Sequence, residues 1–200
     1  MRRSIASKFS VAALAACAFA SFSSAALAHV GDHSGMSFSE GLAHPFTGLD
    51  HMLAMVAVGL WASQLGRPAI WLLPLTFPVI MAIGAAFGVS GGELPWIEIG
   101  IASSVLVLGA AVAMALRPSL VVSAALVALL ALLHGYSHGV ELPAHVAALT
   151  YGIGFVAATL VLHALGIAIG LFANNIPLRY VARTAGAAIA AVGVFLLATV

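Results

Sequence analysis

Charge is what this sequence has least of. Asp, Glu, Lys and Arg together make up 6% of its 200 residues, while 63% are hydrophobic and the mean hydropathy is +1.17. So little polar surface cannot keep a compact domain in water, and the composition is that of a membrane protein. Three of the seven basic residues, Arg2, Arg3 and Lys8, crowd the N-terminus, which leaves no basic patch for nucleic acid. There is one cysteine, Cys17. It lies in residues 1–28, which read as a secretory signal peptide: a basic start, an apolar run from Phe9 to Phe22, and Ala26-Leu27-Ala28 before the polar His29. Cleavage after Ala28 removes the only thiol, and with it disulfides, iron–sulfur clusters and thiolate metal sites. Two competing readings of the same stretch are a lipoprotein box at Leu14-Ala15-Ala16-Cys17 and a retained first membrane helix. The chain also lacks a phosphate-binding loop, which excludes ATP hydrolysis by its own residues.

What is abundant is the long apolar run. A short polar arm, residues 29–43, carries His29, Asp32, His33 and Glu40. Six segments follow, each near the roughly 20 residues that cross a bilayer as a helix: 44–63, 69–89, 96–116, 119–139, 144–172 and 180–199. The expected fold is all-α, a polytopic bundle of six transmembrane helices making up a permease-like domain over 44–200. Cytoplasmic loops collect Lys and Arg. Arg67, Arg117 and Arg179 fall in loops one, three and five, with Arg183 just inside the last helix, whereas Asp32, Glu40, Glu93 and Glu141 fall on the other side. An exported signal gives the same topology, with both ends of the mature chain outside. Small residues in 82–88 and 186–193 suit close helix approach in lipid, and Pro74 and Pro78 are expected to kink the second span.

Against this background two polar clusters stand out. The first, His44-Pro45-Phe46-Thr47-Gly48-Leu49-Asp50-His51, opens the first span; the second, His134-Gly135-Tyr136-Ser137-His138-Gly139-Val140-Glu141, closes the fourth. An ionisable group inside a membrane helix is by default a functional-site hypothesis. With up-and-down topology both clusters reach the outer leaflet. His134, His138 and Glu141 share a helical face by their spacings of four and three, and His44 and His51, seven apart, are expected to share one too. Imidazole with carboxylate and no thiolate suits Ni, Co, Zn, Cu(II) or Fe(II). A lone histidine is more often hydrogen-bonded helix glue; four histidines and two acids converging at one depth favour a metal site. Met52 and Met55 on the apolar helix read as packing.

His44-Pro45-xx-Gly48-x-Asp50-His51 and His134-Gly135-xx-His138-Gly139-x-Glu141 resemble the two signature motifs of the HupE/UreJ family, membrane proteins associated with hydrogenase and urease accessory systems and regarded as nickel or cobalt permeases. The resemblance covers essentially the whole mature chain. One departure is visible: the family's second motif is often preceded by Phe and has Ala before its second His, where this chain has Leu133 and Ser137, neither at a ligand position. The resemblance implies inward transport of Ni2+ or Co2+ across the bacterial inner membrane, with His44, Asp50, His51, His134, His138 and Glu141 as metal ligands, the ion as substrate and no permanently bound cofactor. The lipid bilayer is the implied surrounding, and an outer-membrane metal receptor or a second copy of the chain the candidate protein partner.

Further residues extend the path. His29, with its α-amino group after cleavage, Asp32 and His33 could capture ions on the arm; His145 could widen the mouth, with Glu93 and Glu98 nearby. His163 lies about 18 residues further along its helix, roughly 27 Å at 1.5 Å per residue, where with Asn174 and Asn175 it suggests an exit site. The rival of another class is an integral-membrane zinc hydrolase in which the same residues hold Zn and Glu141 acts as general base. A haem held between His51 and His138 and a non-transporting metal sensor are the remaining readings.

Overall fold

The computed structural model describes residues 33–91, 94–142, 147–173 and 179–200. Seven helices make up these residues: α1 (His33–Thr47), α2 (Leu49–Leu65), α3 (Ala69–Val89), α4 (Ile97–Met114), α5 (Leu120–Val140), α6 (Ala148–Ala173) and α7 (Arg179–Leu197). Five of them, α3 to α7, are each long and apolar enough to cross a membrane, and α1 with α2 forms a sixth, bent element. The protein is a multi-pass bundle of helices. Its outward faces suit lipid: on α3 Trp71, Leu75, Val79, Ile83 and Phe87 are exposed at every fourth position, while Leu73, Phe77 and Met81 on the same helix are buried. In water such a stripe would be a liability, whereas in a bilayer it faces its own kind. Pro74 and Pro78 both sit inside α3, which stays a single helix across them.

The expectation of one straight span over 44–63 fails at Gly48. There α1 and α2 meet at an angle of 81°, so His44 and His51 lie on two helices and share no helical face. Gly48 is extended (φ −93°, ψ 113°) and its carbonyl accepts the first bond of α2 from the Met52 amide at 3.0 Å. Pro45, three residues earlier, has no N–H to give the Gly41 carbonyl and weakens the last turn of α1. Asp50 in the first turn of α2 suits the positive end of that helix. The helical path of α1 also reaches back to His33, well into the stretch expected as an arm. Ser37, Gly41 and Pro45 are buried, and Phe38, Leu42 and Phe46 form the exposed stripe beside them. Glu40 and His44, one turn apart, border the buried stripe on its other side and are half-buried.

Helices pair through glycine. A Cβ on Gly135 would meet the Met81 backbone, one on Gly139 the Ala85 backbone, and one on Gly84 or Gly88 the facing turn of α5. Contacts advance together along both chains, so α3 and α5 run parallel as one ribbon. Gly59 against the His163 carbonyl and Gly166 against the Val56 carbonyl join α2 and α6 in the same way, and Gly41 against Tyr151 fastens α1 to that second ribbon. Gly109 and Gly186 pair α4 with α7. At the far end from the histidines, side chains from α2 and α7 bond to carbonyls in the last turn of α4 and just past its end. Trp61 Nε1 donates to Leu116 O (2.9 Å), Gln64 Nε2 to Val112 O (3.1 Å) and Arg183 Nε to Ala113 O (2.8 Å).

Candidate metal centre

The two polar clusters meet. His51, in the first turn of α2, lies with its ring centroid 4.2 Å from that of His138 and 4.8 Å from that of His134, both on the last two turns of α5. His44, in the last turn of α1, stands 4.9 Å from His138 and 6.4 Å from His51. One ligand atom each from His44, His138 and Glu141 falls within 4.8 Å of the others. Glu141 is the C-cap of α5, still near helical geometry, so the four-and-three spacing holds to its end.

Hydrogen bonds set which nitrogen each ring presents. The Asp50 carboxylate takes the His51 Nδ1 at 2.7 Å and the His51 amide at 2.8 Å, which leaves Nε2 of His51 buried and unpartnered. His134 Nδ1 lies 3.2 Å from the Leu130 carbonyl, again leaving a buried, unpartnered Nε2. Fixing one ring nitrogen against a carboxylate or carbonyl to present the other is how proteins prepare a histidine ligand. Both nitrogens of His138 are buried without a partner. A buried polar atom left unmade costs about 1–3 kcal/mol, and four such atoms share this spot. Asp50 thus orients His51, and no close approach brings it into the triad of His44, His138 and Glu141. Ser137 donates to Glu141 Oε1 at 3.1 Å and steadies that carboxylate.

Gly48 serves this geometry by its size. Its backbone suits any residue, yet a Cβ there would lie 2.8 Å from His51 Nδ1 and 3.0 Å from Asp50 Oδ1. Gly48→Ala is therefore expected to push the Asp50–His51 pair out of place and weaken metal binding about tenfold, the low end for loss of a ligand-orienting contact. Titration of the purified protein with Co2+, beside an immunoblot of membrane abundance, checks it.

Several residues at the site were not singled out as ligands or wall residues from the sequence. Phe155 on α6 packs against His138 (4.3 Å) and His44 (5.8 Å), and Tyr151 against His44 (5.9 Å). Being aromatic residues in an apolar helix, they look like ordinary packing. Glu40, with its Oε2 buried and unpartnered, stands one turn before His44, and that i, i+4 spacing was a legible signal. Phe77 on α3 closes the cluster on its deep side, 5.8 Å from His134. An apolar cleft of about 620 Å3 between α3 and α6 ends on His138 and Tyr151.

His163 is buried in α6 beyond Phe77, outside the cluster. Glu98 is exposed in the first turn of α4. The signal peptide, His29, Asp32, Glu93, His145, Asn174 and Asn175 lie outside the described residues, as does the side chain of His33.

Comparison with known proteins places these residues in context. The sequence profile described as "HupE / UreJ protein" matches residues 17–196. A curated relative, "Protein HupE" of Rhizobium leguminosarum bv. viciae, is 47% identical over 174 residues, which cover 87% of this chain and 91% of the relative. No solved structure matches the chain.

Proposed function

From the premise that this chain belongs to the HupE/UreJ family, we propose that it carries divalent nickel or cobalt inward across the bacterial inner membrane. The observation that supports this most is the convergence of four imidazole rings from three helices inside a membrane bundle, three of them, His51, His134 and His138, with a buried ring nitrogen that has no partner. Nitrogen-rich ligation with one or two carboxylates and no sulfur suits these metals. His44, His138 and Glu141 take the ion first, at the half-open mouth, and His51 and His134 receive it below. Asp50 holds His51 in the receiving orientation. The ion is substrate and passes on, so binding must be strong enough to replace its water and weak enough to release it. Two charges crossing about 100 mV gain roughly 4.6 kcal/mol, which supplies an inward drive without nucleotide.

The test is uptake of labelled nickel and cobalt into cells lacking their own high-affinity importers, with and without this protein. Expression should raise uptake of at least one metal, and competition between the two should rank them. Absence of uptake from protein shown to be in the membrane, with a stable zinc ion and hydrolysis of a lipid or peptide, would replace the permease with the hydrolase.

Asp50→Asn offers a finer check. The amide keeps a hydrogen-bond acceptor but loses the charge that fixes the His51 tautomer, so affinity should fall about 10- to 100-fold while the protein accumulates normally. Unchanged affinity would assign Asp50 a purely structural part at the start of α2.

A further inference from the structure

One buried imidazole takes no part in the cluster. His163 is 1% exposed and neither ring nitrogen has a partner. One turn before it, on the same face of α6, Thr159 is fully buried and its hydroxyl is also unpartnered. That is unusual for this protein. Ser63, Thr76, Ser104 and Thr184 all return their hydroxyls to a carbonyl three or four residues back, the common resort of such side chains in helices.

A third polar group comes from α3. Pro78 has no N–H, so the Pro74 carbonyl, four residues earlier, loses its helical donor. Pro74 is buried three residues before Phe77, whose ring packs on His163, so this carbonyl belongs to the stretch of α3 beside that imidazole. An imidazole and a hydroxyl without partners thus lie one turn apart on one face of α6, beside a stretch of α3 whose Pro74 carbonyl has lost its helical donor. Phe77 connects this place to the cluster, standing edge-on to His134 (5.8 Å, 70°) and to His163 (5.3 Å, 83°).

We propose that His163, Thr159 and the Pro74 carbonyl form a second, weaker transition-metal site, separated from the histidine cluster by the ring of Phe77. It rests on the transport reading and deepens it by naming where the ion goes next. One imidazole and two neutral oxygens bind a divalent ion less tightly than four imidazoles and a carboxylate, which suits a station from which the ion departs. For the ion to pass, the Phe77 ring must turn aside.

The test uses the full chain in lipid nanodiscs with Co2+ as probe, and nickel uptake in cells. Wild type should bind two Co2+ ions of unequal affinity. His163→Ala should keep the tight ion, lose the weak one, and slow saturated uptake about tenfold at an unchanged half-saturating concentration. Pro78→Ala returns an N–H to the Pro74 carbonyl and should weaken only the second ion. Should His163→Ala fail to accumulate, His163→Gln keeps volume and polarity with a poorer ligand. A transporting wild type that binds one ion, or a His163 variant with two ions and normal uptake, would overturn the second site alone. Failure of wild type to transport would instead remove the permease reading.

Discussion

Replacing His138 with alanine should abolish uptake, a loss of about 100-fold or more, since even groups that merely orient a ligand cost 10- to 100-fold when removed. Its ring is the common neighbour of His44, His51 and Phe155, it belongs to the triad with Glu141, and both its nitrogens are free to bind. The protein itself should survive the change. His138 makes no hydrogen bond that its removal would orphan, and it borders the cleft between α3 and α6, where a smaller side chain leaves a larger hollow without a broken network. Labelled-metal uptake with membrane abundance measured in parallel separates the two effects. Full uptake by His138→Ala would mean that the ion takes another route.

Gly135→Ala should be the most damaging change that adds a single methyl group. The new Cβ would meet the Met81 carbonyl oxygen and stand 2.7 Å from the carbonyl carbon and 2.8 Å from the Cα. These are backbone atoms of a packed helix and cannot rotate away. Overpacking costs about 1–3 kcal/mol, and at about 2–4 °C per kcal/mol for a chain of this size the melting temperature should fall by about 2–12 °C. His134 and His138 flank Gly135 on the same turns, so metal affinity should fall with it. Gly152→Ala is the matched control. No atom lies within 4 Å of a Cβ there, and alanine is the better helix former by about 1 kcal/mol, so that variant should be as stable as wild type or slightly more so. Equal melting of both variants would show that α3 and α5 do not approach so closely.

Much of this was legible in the sequence because hydropathy over some 20 residues is a strong signal. The span expected over 69–89 is α3 to the residue, and the one over 119–139 differs from α5 by one residue at each end. The meeting of the two clusters followed from counting crossings. What was not legible is the break at Gly48. Hydropathy runs on through it, and the glycine adopts a backbone that any residue could adopt, so nothing in its chemistry marks a bend. The helix from His33 was hidden for a related reason: its polar residues lowered the mean hydropathy, although Phe38, Leu42 and Phe46 recur at helical spacing. Phe77, Tyr151, Phe155 and Thr159 gain their meaning from neighbours on other helices, which a one-dimensional pattern does not contain.

The glycine contacts divide the bundle into ribbons, and every group proposed to touch the ion lies on one side or the other of a single seam. His44, His51, Thr159 and His163 belong to the ribbon of α1, α2 and α6; His134, His138, Glu141 and the Pro74 carbonyl belong to that of α3 and α5. Each ribbon is locked internally, backbone on backbone, with little freedom to deform. Rocking of one against the other would take the ligand sets apart without breaking a glycine contact, as in the rigid-body transitions by which packed domains move. An ion held as proposed would be a rivet between two stiff plates, and its arrival and departure would change how firmly the plates are joined.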